Sequence, residues 1–194
     1  MQCIYNMSSI KGLKLDMRRN NDELFHTACA NNHYNVAHWL WLYGNANDDP
    51  VKLHSHDNKA FVDSCSNGHT KVFTWLIKIG KMIGSPYDIH MNNEELFITA
   101  CSKGYINIAK LLFEEGLSSK SPINMKINSF ECFEKACVND QLTVAEWLYD
   151  NLKSDQDFIK DVIKRPAFTF IFPFHIDSQT KKWFNRVVGS VDLY

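Results

Sequence analysis

The chain has 194 residues, of which 45% are hydrophobic, so it can bury a sizeable core and is not expected to be disordered. Its 21 basic and 22 acidic side chains leave a formal net charge of −1. This balance argues against a general binder of nucleic-acid backbones, because such proteins carry a surplus of Lys and Arg. No run of 18 apolar residues is present, and residues 1–14 lack an apolar stretch of signal-peptide length, so neither a membrane span nor secretion is expected.

An internal repeat with a step of 36 residues organises the chain. Cysteine recurs at this step, at Cys29, Cys65, Cys101 and Cys137. Phenylalanine recurs at Phe25, Phe61, Phe97 and Phe133. A second large apolar position follows at Trp39, Trp75, Leu111 and Trp147. A fixed period of this length indicates an array of stacked structural units.

Each repeat is predicted to be a pair of helices joined by a tight turn. The first helix is predicted to start at N-cap residues, at Asn21, Asp57, Asn93 and Ser129. The turn between the helices is predicted at residues that accept positive φ, at Asn32, Gly68, Gly104 and Asp140. The second helix is predicted to end at C′ glycines, at Gly44, Gly80 and Gly116.

A shorter pattern with period two lies between the helix pairs, in residues 15–18, 51–54, 87–90 and 123–126. It predicts an extended segment with one buried face, which we call the finger. Each finger ends in a basic residue or a histidine, and these are Arg18, His54, His90 and Lys126. The fingers therefore predict a row of cationic positions along their tips.

These motifs resemble those of the ankyrin-repeat family. Residues 24–29, Leu-Phe-His-Thr-Ala-Cys, resemble its T-P-L-H-x-A segment, and residues 67–72, Asn-Gly-His-Thr-Lys-Val, resemble its G-H-x-x-V turn. The resemblance covers roughly residues 15–152 and implies an all-α, ankyrin-type solenoid of stacked helix–turn–helix repeats with short β-like fingers. The chain departs from the family in lacking the Thr-Pro pair and in its longer period. The recurring pattern of cysteine and tryptophan also resembles the ankyrin proteins of giant, mimivirus-like DNA viruses of amoebae.

The predicted organisation has three parts. An N-terminal stub and first finger occupy residues 1–20. Four repeats follow at residues 21–56, 57–92, 93–128 and 129–152. Residues 153–194 are predicted to be a degenerate fifth repeat that caps the array, with helices from Pro166 to Phe172 and from Gln179 to Val188.

The cysteines and histidines invite a metal, redox or catalytic hypothesis, which the repeat argues against. One cysteine per repeat cannot converge on one zinc ion, and neighbouring helices lie too far apart for a disulfide. The cysteine lies on the packed face, where apolar surroundings make a thiol inert. We therefore expect no enzyme activity, no metal and no cofactor. Reduced, buried cysteines also suggest an intracellular and cytoplasmic protein.

The function expected from this pattern is binding of another protein, a host protein if the chain is viral. Partner-binding residues are expected at the finger tips, and at outward positions of the first helices, namely His26, Asp63, Thr99 and Lys135. No nucleic acid or membrane partner is expected, and the chain is expected to be a monomer. Two alternatives stay open. One is an adaptor that delivers a partner to a ubiquitin ligase through residues 153–194, and the other is self-association through Phe168, Phe170, Phe172 and Phe174.

Overall fold

The computed structural model describes residues 16–163 and 178–191, which form helices joined by short turns and contain no β-strand. The all-α prediction is confirmed at this level. The helices are α1 (Arg19–Ala30), α2 (Tyr34–Ala46), α3 (Ser55–Ser66), α4 (Thr70–Met82), α5 (Met91–Ser102), α6 (Ile106–Ser118), α7 (Ile127–Val138), α8 (Leu142–Leu152), α9 (Gln156–Phe158, continued by a π-helical turn, Ile159–Ile163) and α10 (Gln179–Val191). The chain divides into two compact units, with the boundary between Tyr87 and Asp88.

Consecutive helices pack against each other within each unit. In the first unit α1 packs against α2 and α3, and α3 packs against α4. In the second unit α5 packs against α6 and α7, α7 packs against α8, and α8 packs against α10. This arrangement is compatible with a helical repeat.

The residues that recur every 36 positions form the core of both units. The repeated phenylalanines Phe25, Phe61, Phe97 and Phe133 are fully buried, as are the repeated cysteines Cys29, Cys65, Cys101 and Cys137. Aromatic side chains on second helices meet edge-to-face: Trp41 and Trp75 in the first unit have ring centroids 6.4 Å apart at 87°. In the second unit Phe113 and Trp147 meet at 5.7 Å and 85°. Edge-to-face pairs add to the burial of apolar area, so this packing is stabilising.

The turn between the helices of each repeat is as predicted. The residues at its centre have positive φ, namely Asn32 (59°), Gly68 (74°), Gly104 (76°) and Asp140 (55°). The next residue donates its backbone N–H to a carbonyl five residues earlier, as from His33 to Ala28 at 2.8 Å. This bond satisfies a carbonyl that the end of the first helix leaves without a partner.

The predicted N-caps are wrong. Asn21, Asp57, Asn93 and Ser129 do not cap a helix, because each is the middle residue of three consecutive residues with positive φ. The triplets are residues 20–22, 56–58, 92–94 and 128–130. Each makes one left-handed turn at the start of a first helix. Asn and Asp tolerate this conformation better than other residues that carry a Cβ, which explains their abundance at these positions.

The predicted C′ glycines are also wrong. Gly44, Gly80 and Gly116 lie inside the second helices, which continue to Ala46, Met82 and Ser118. The residues with positive φ beyond those ends are Asp48 (54°), Gly84 (72°) and Lys120 (61°). The internal glycines are needed for another reason: the chain folds back so closely that a Cβ on Gly80 would lie 2.9 Å from the carbonyl oxygen of Ser85.

The finger segments 51–54 and 123–126 show the predicted alternation of burial without forming strands, whereas in the segment 87–90 both Ile89 and His90 are half-buried. Val51 and Leu53 are buried, whereas Lys52 and His54 are exposed, and residues 51–54 have irregular backbone followed by a turn. The β-like description is therefore not met in the described fingers. Their buried side chains pack against the helix pair, so that only the alternate side chains face outward.

The C-terminal part is described only in α9, its π-helical turn and α10. The helix predicted from Gln179 begins there and continues to Val191. The backbone N–H of Thr180 donates to Asp140 Oδ1 at 3.0 Å, which ties the start of α10 to the turn between α7 and α8. The helix predicted from Pro166 to Phe172 and the phenylalanines proposed for self-association lie outside the described residues.

Candidate functional site

The finger-tip residue Arg18 is bound to its own chain. Its guanidinium contacts Asp22 Oδ1 at 2.5 Å, Asp49 Oδ2 at 3.3 Å and the carbonyl of Leu40 at 3.3 Å. Only 17% of the Arg18 side chain is exposed, and Asp22 is almost fully buried. Arg18 therefore holds the left-handed turn of α1 against the end of α2.

The other finger-tip residues make equivalent contacts within their units. His54 bonds through Nδ1 to Asn58 at 2.6 Å and through Nε2 to the Ser85 hydroxyl at 2.9 Å. Lys126 forms ion pairs with Asp155 at 2.5 Å and Asp157 at 3.4 Å.

His90 bonds through Nδ1 to Glu94 at 2.9 Å. Its Nε2 is buried without a hydrogen-bond partner among the described residues. Arg18, His54 and His90 thus contact the turn four residues on, and Arg18 and His54 also contact the linker 31 residues on. Lys126 instead pairs with Asp155, just before α9, and with Asp157 in α9.

Two buried carboxylates complete these contacts. Asp22 accepts the backbone N–H of Lys52 at 3.0 Å, and Glu94 accepts that of Asn124 at 3.0 Å. Each carboxylate thus binds a side chain four residues earlier and a backbone amide 30 residues later. A buried amide without an acceptor is costly, so the acidic residue fixes the position of the following finger.

One of the four first-helix positions predicted to face outward, His26, is wrong. His26 is only 3% exposed and is out of phase with the other three, and its exposed neighbour Thr27 is the true equivalent of Asp63. The remaining positions make exposed contacts along their own helices: Asp63 with Lys59 at 2.9 Å, Thr99 with Glu95 at 3.3 Å, and Lys135 with Glu131 at 2.7 Å.

A pocket of about 480 Å³ lies between α1 and α3 in the first unit, and we call it the α1–α3 pocket. It is lined by Asn20, Glu23, His26, Thr27, Ala30, Asn31, His56, Lys59 and Asp63. Two of the eight predicted site residues, His26 and Asp63, therefore share one site. Its side chains come from two left-handed turns and the two first helices that follow them, so residues far apart in sequence meet there.

A chain of hydrogen bonds runs along one side of this pocket. The Ser55 hydroxyl donates to the carbonyl of Lys52 at 2.6 Å, and His26 Nε2 lies 2.8 Å from the same hydroxyl oxygen. Because the single hydroxyl proton is used at the carbonyl, His26 Nε2 must be the donor in the second bond. The Nδ1 atom of neutral His26 is then an acceptor, and His56 Nδ1, at 3.2 Å, donates to it.

This arrangement disfavours protonation of His26. A proton added to His26 Nδ1 would put two N–H groups against each other. Burial and the neighbouring His56 hold the pKa of His26 below its ordinary value. Nε2 of the exposed His56 makes no hydrogen bond to a described residue.

The thiols of the described cysteines do not form a reactive centre. The five described cysteines, Cys29, Cys65, Cys101, Cys132 and Cys137, are buried. Burial raises the pKa of Cys29 and of Cys132 to about 12, and it also raises that of Cys137. A thiol of this kind is not a nucleophile at neutral pH. Within the described residues no three His, Cys, Asp or Glu side chains converge as a metal site would require.

Comparison with known protein families, with curated proteins and with solved structures finds no match to this chain. Among the described helices, none combines the length and apolar character needed to cross a bilayer. The fold and the pocket are therefore the basis for a functional proposal.

Sequence reasoning missed the roles of Glu23, His56 and Lys59 in the pocket. Lys59 and Glu23 are equivalent positions of the 36-residue repeat, which could have marked them as one outward row. His56 carries no such signal, because it meets His26, which occupies a different position of the repeat.

Proposed function

We propose that the chain is a non-catalytic protein-interaction scaffold, an ankyrin-type solenoid, that binds a partner through the first helices of its first unit. The observation that carries this proposal is the α1–α3 pocket, which is built from outward side chains on a constant core. The first-helix positions that line it differ between repeats, whereas the phenylalanine and cysteine beneath them do not. A constant core with a variable outer face is what a binding scaffold requires.

The contact surface proposed here lies on the first helices and not at the finger tips. Their charged and histidine side chains are engaged within the chain, and Arg18 in particular supports a buried carboxylate. A partner that bound them would have to replace those contacts. Two side chains of the α1–α3 pocket, Thr27 and Asn31, are exposed and carry no comparable burden.

The resemblance to viral ankyrin proteins suggests a host amoebal protein as the partner, and the pattern of one buried cysteine per repeat supports an intracellular location. The test is affinity capture from an amoebal lysate. We expect a protein held by the native chain to be lost when the pocket is filled by Thr27→Arg with Asn31→Arg.

The matched control places the same change on second helices, where Asn107 and Thr143 are also small, polar and exposed. Asn107→Arg with Thr143→Arg should leave capture unchanged. Equal loss with both pairs, or retention by the pocket variant, would contradict a contact surface on the first helices. Circular dichroism on each variant checks that the helices are intact.

A further inference from the structure

The α1–α3 pocket offers hydrogen-bond acceptors that receive no donor from the part of the chain that the structure describes. Glu23 binds Asn20 through Oε2 at 2.6 Å, which leaves Oε1 open. Asp63 binds Lys59 through Oδ2 at 2.9 Å, which leaves Oδ1 open. His56 Nε2 is a third open acceptor, because its Nδ1 is the donor to His26.

The charge of the pocket favours the same kind of ligand. Of its ionisable groups, Glu23 and Asp63 are negative and Lys59 is positive, so one negative charge remains while both histidines are neutral. The Lys59 ammonium is already paired with Asp63. The buried Asp22 carboxylate faces His26 from behind and is neutralised by Arg18.

We propose that this pocket receives a cationic side chain of the partner, an arginine or a lysine. This inference rests on the proposed function and names its ligand. A guanidinium group carries several donors and no acceptor, which matches the acceptors on Glu23, Asp63 and His56 and the net negative charge of the pocket.

The test uses the full chain and small probes in place of the partner. The probe is Nα-acetyl-arginine amide, followed by two-dimensional amide NMR, with Nα-acetyl-citrulline amide as its neutral isostere and Nα-acetyl-glutamate amide as the acidic alternative. We expect saturable shifts at pocket residues with the arginine probe at pH 7.5. Citrulline and glutamate probes should bind at least about tenfold more weakly than the arginine probe at this pH.

Two variants make the result specific. Glu23→Gln with Asp63→Asn should abolish the shifts, whereas Glu131→Gln, at the repeat position equivalent to Glu23 in the second unit, should not. The spectra themselves report whether each variant is folded.

Several outcomes would overturn the inference. They are no saturable shift with arginine, equal binding of citrulline, or preference for glutamate. None of these outcomes decides the proposed function, which fails if filling the pocket leaves partner capture unchanged or if the control variant loses capture equally.

Discussion

Gly80 and Ser85 approach each other so closely that a methyl group on Gly80 would lie 2.9 Å from the Ser85 carbonyl oxygen. The amide of Ser85 in turn donates to the Gly80 carbonyl at 2.9 Å. The same contact recurs between Gly44 and Asp49, whose amide donates to the Gly44 carbonyl at 2.9 Å. Glycine at this position therefore lets the linker return along the helix that it has just left.

Replacing Gly80 by alanine should destabilise the protein. Alanine normally favours a helix interior over glycine by about 1 kcal/mol, but here its methyl group meets backbone that cannot move aside. We expect the free energy of unfolding to fall by about 1–3 kcal/mol, as in other overpacked sites, measured by urea denaturation followed by circular dichroism. A stabilised variant would contradict the close approach.

The left-handed turn at Asn93 predicts an unusual order of stability among variants at this position. At a helix N-cap, threonine would replace asparagine with little loss. In a left-handed turn, a β-branched residue is disfavoured by about 1–2 kcal/mol, whereas glycine is accepted. We therefore expect Asn93→Thr to lower the urea midpoint and Asn93→Gly to keep or raise it. The reverse order would favour an N-cap.

Arg18 should matter for stability rather than for binding. Arg18→Met removes the cation beside the buried carboxylate of Asp22, and we expect a loss of about 3 kcal/mol in the free energy of unfolding. Adding Asp22→Asn should recover part of this loss, because the buried charge is then gone. Lys126→Met is the control: it removes an exposed pair and should change the urea midpoint little. Equal losses at Arg18 and Lys126 would exclude this explanation.

The docking of α10 should depend on Asp140 and on pH. The hydrogen bond from the backbone N–H of Thr180 holds the pKa of Asp140 below its ordinary value of 3.8. A carboxylate whose pKa is lower in the folded state adds stability above its unfolded pKa and loses it as the pH falls through the folded value. We expect the Thr180 amide to lose hydrogen-exchange protection, after correction for the intrinsic exchange rate, below about pH 4.

The substitution Asp140→Gly tests the contact with Thr180 without changing the turn in which Asp140 lies. Asp140→Gly keeps the positive φ of the turn but removes the carboxylate, so it should expose the Thr180 amide to exchange at pH 7. Protection of amides in α5, in the same unit, should be unchanged. Protection of Thr180 that survives this substitution would show that the hydrogen bond does not hold α10.

The buried thiols should resist modification. In a Cys3→Ser background, which removes the one cysteine outside the described residues, we expect no reaction with a thiol reagent at pH 7.5 in the native state. Five thiols should react after denaturation in urea. A native cysteine that reacts within minutes would reopen the catalytic hypothesis.

The repeated features of the fold could be predicted because the same residue types recur at the same position of each repeat. Phe25 and Cys29 recur at a fixed step and are buried, and Asn32 lies where a residue with positive φ was expected. The N-cap prediction failed because asparagine and aspartate suit both a cap and a left-handed turn, and sequence alone does not separate the two. The prediction that Gly44 is a C′ residue failed for a similar reason, because glycine occurs both at helix ends and where two backbone segments approach closely.

The candidate site was less predictable because it depends on differences between repeats. His26 and His56 occupy different positions of the repeat and lie 30 residues apart, so no periodic signal joins them. The finger tips were visible as a row, yet their partners Asp22 and Asp49 come from a turn and a linker whose geometry the pattern did not contain. A sequence shows where the charged residues are, but not which of them already form ion pairs within the chain.

The linker after α4 also has a consequence for where the chain can be cut or duplicated. Tyr87 stacks on Phe61, with ring centroids 4.2 Å apart, and its hydroxyl donates to the carbonyl of Leu53 at 3.1 Å. A gene fragment that stopped at the end of α4 would discard Tyr87 together with Ser85, the partner of His54. The transferable module is therefore a helix pair plus the linker that follows it, and recombination or truncation within residues 83–87 would leave the preceding pair without its closing contacts.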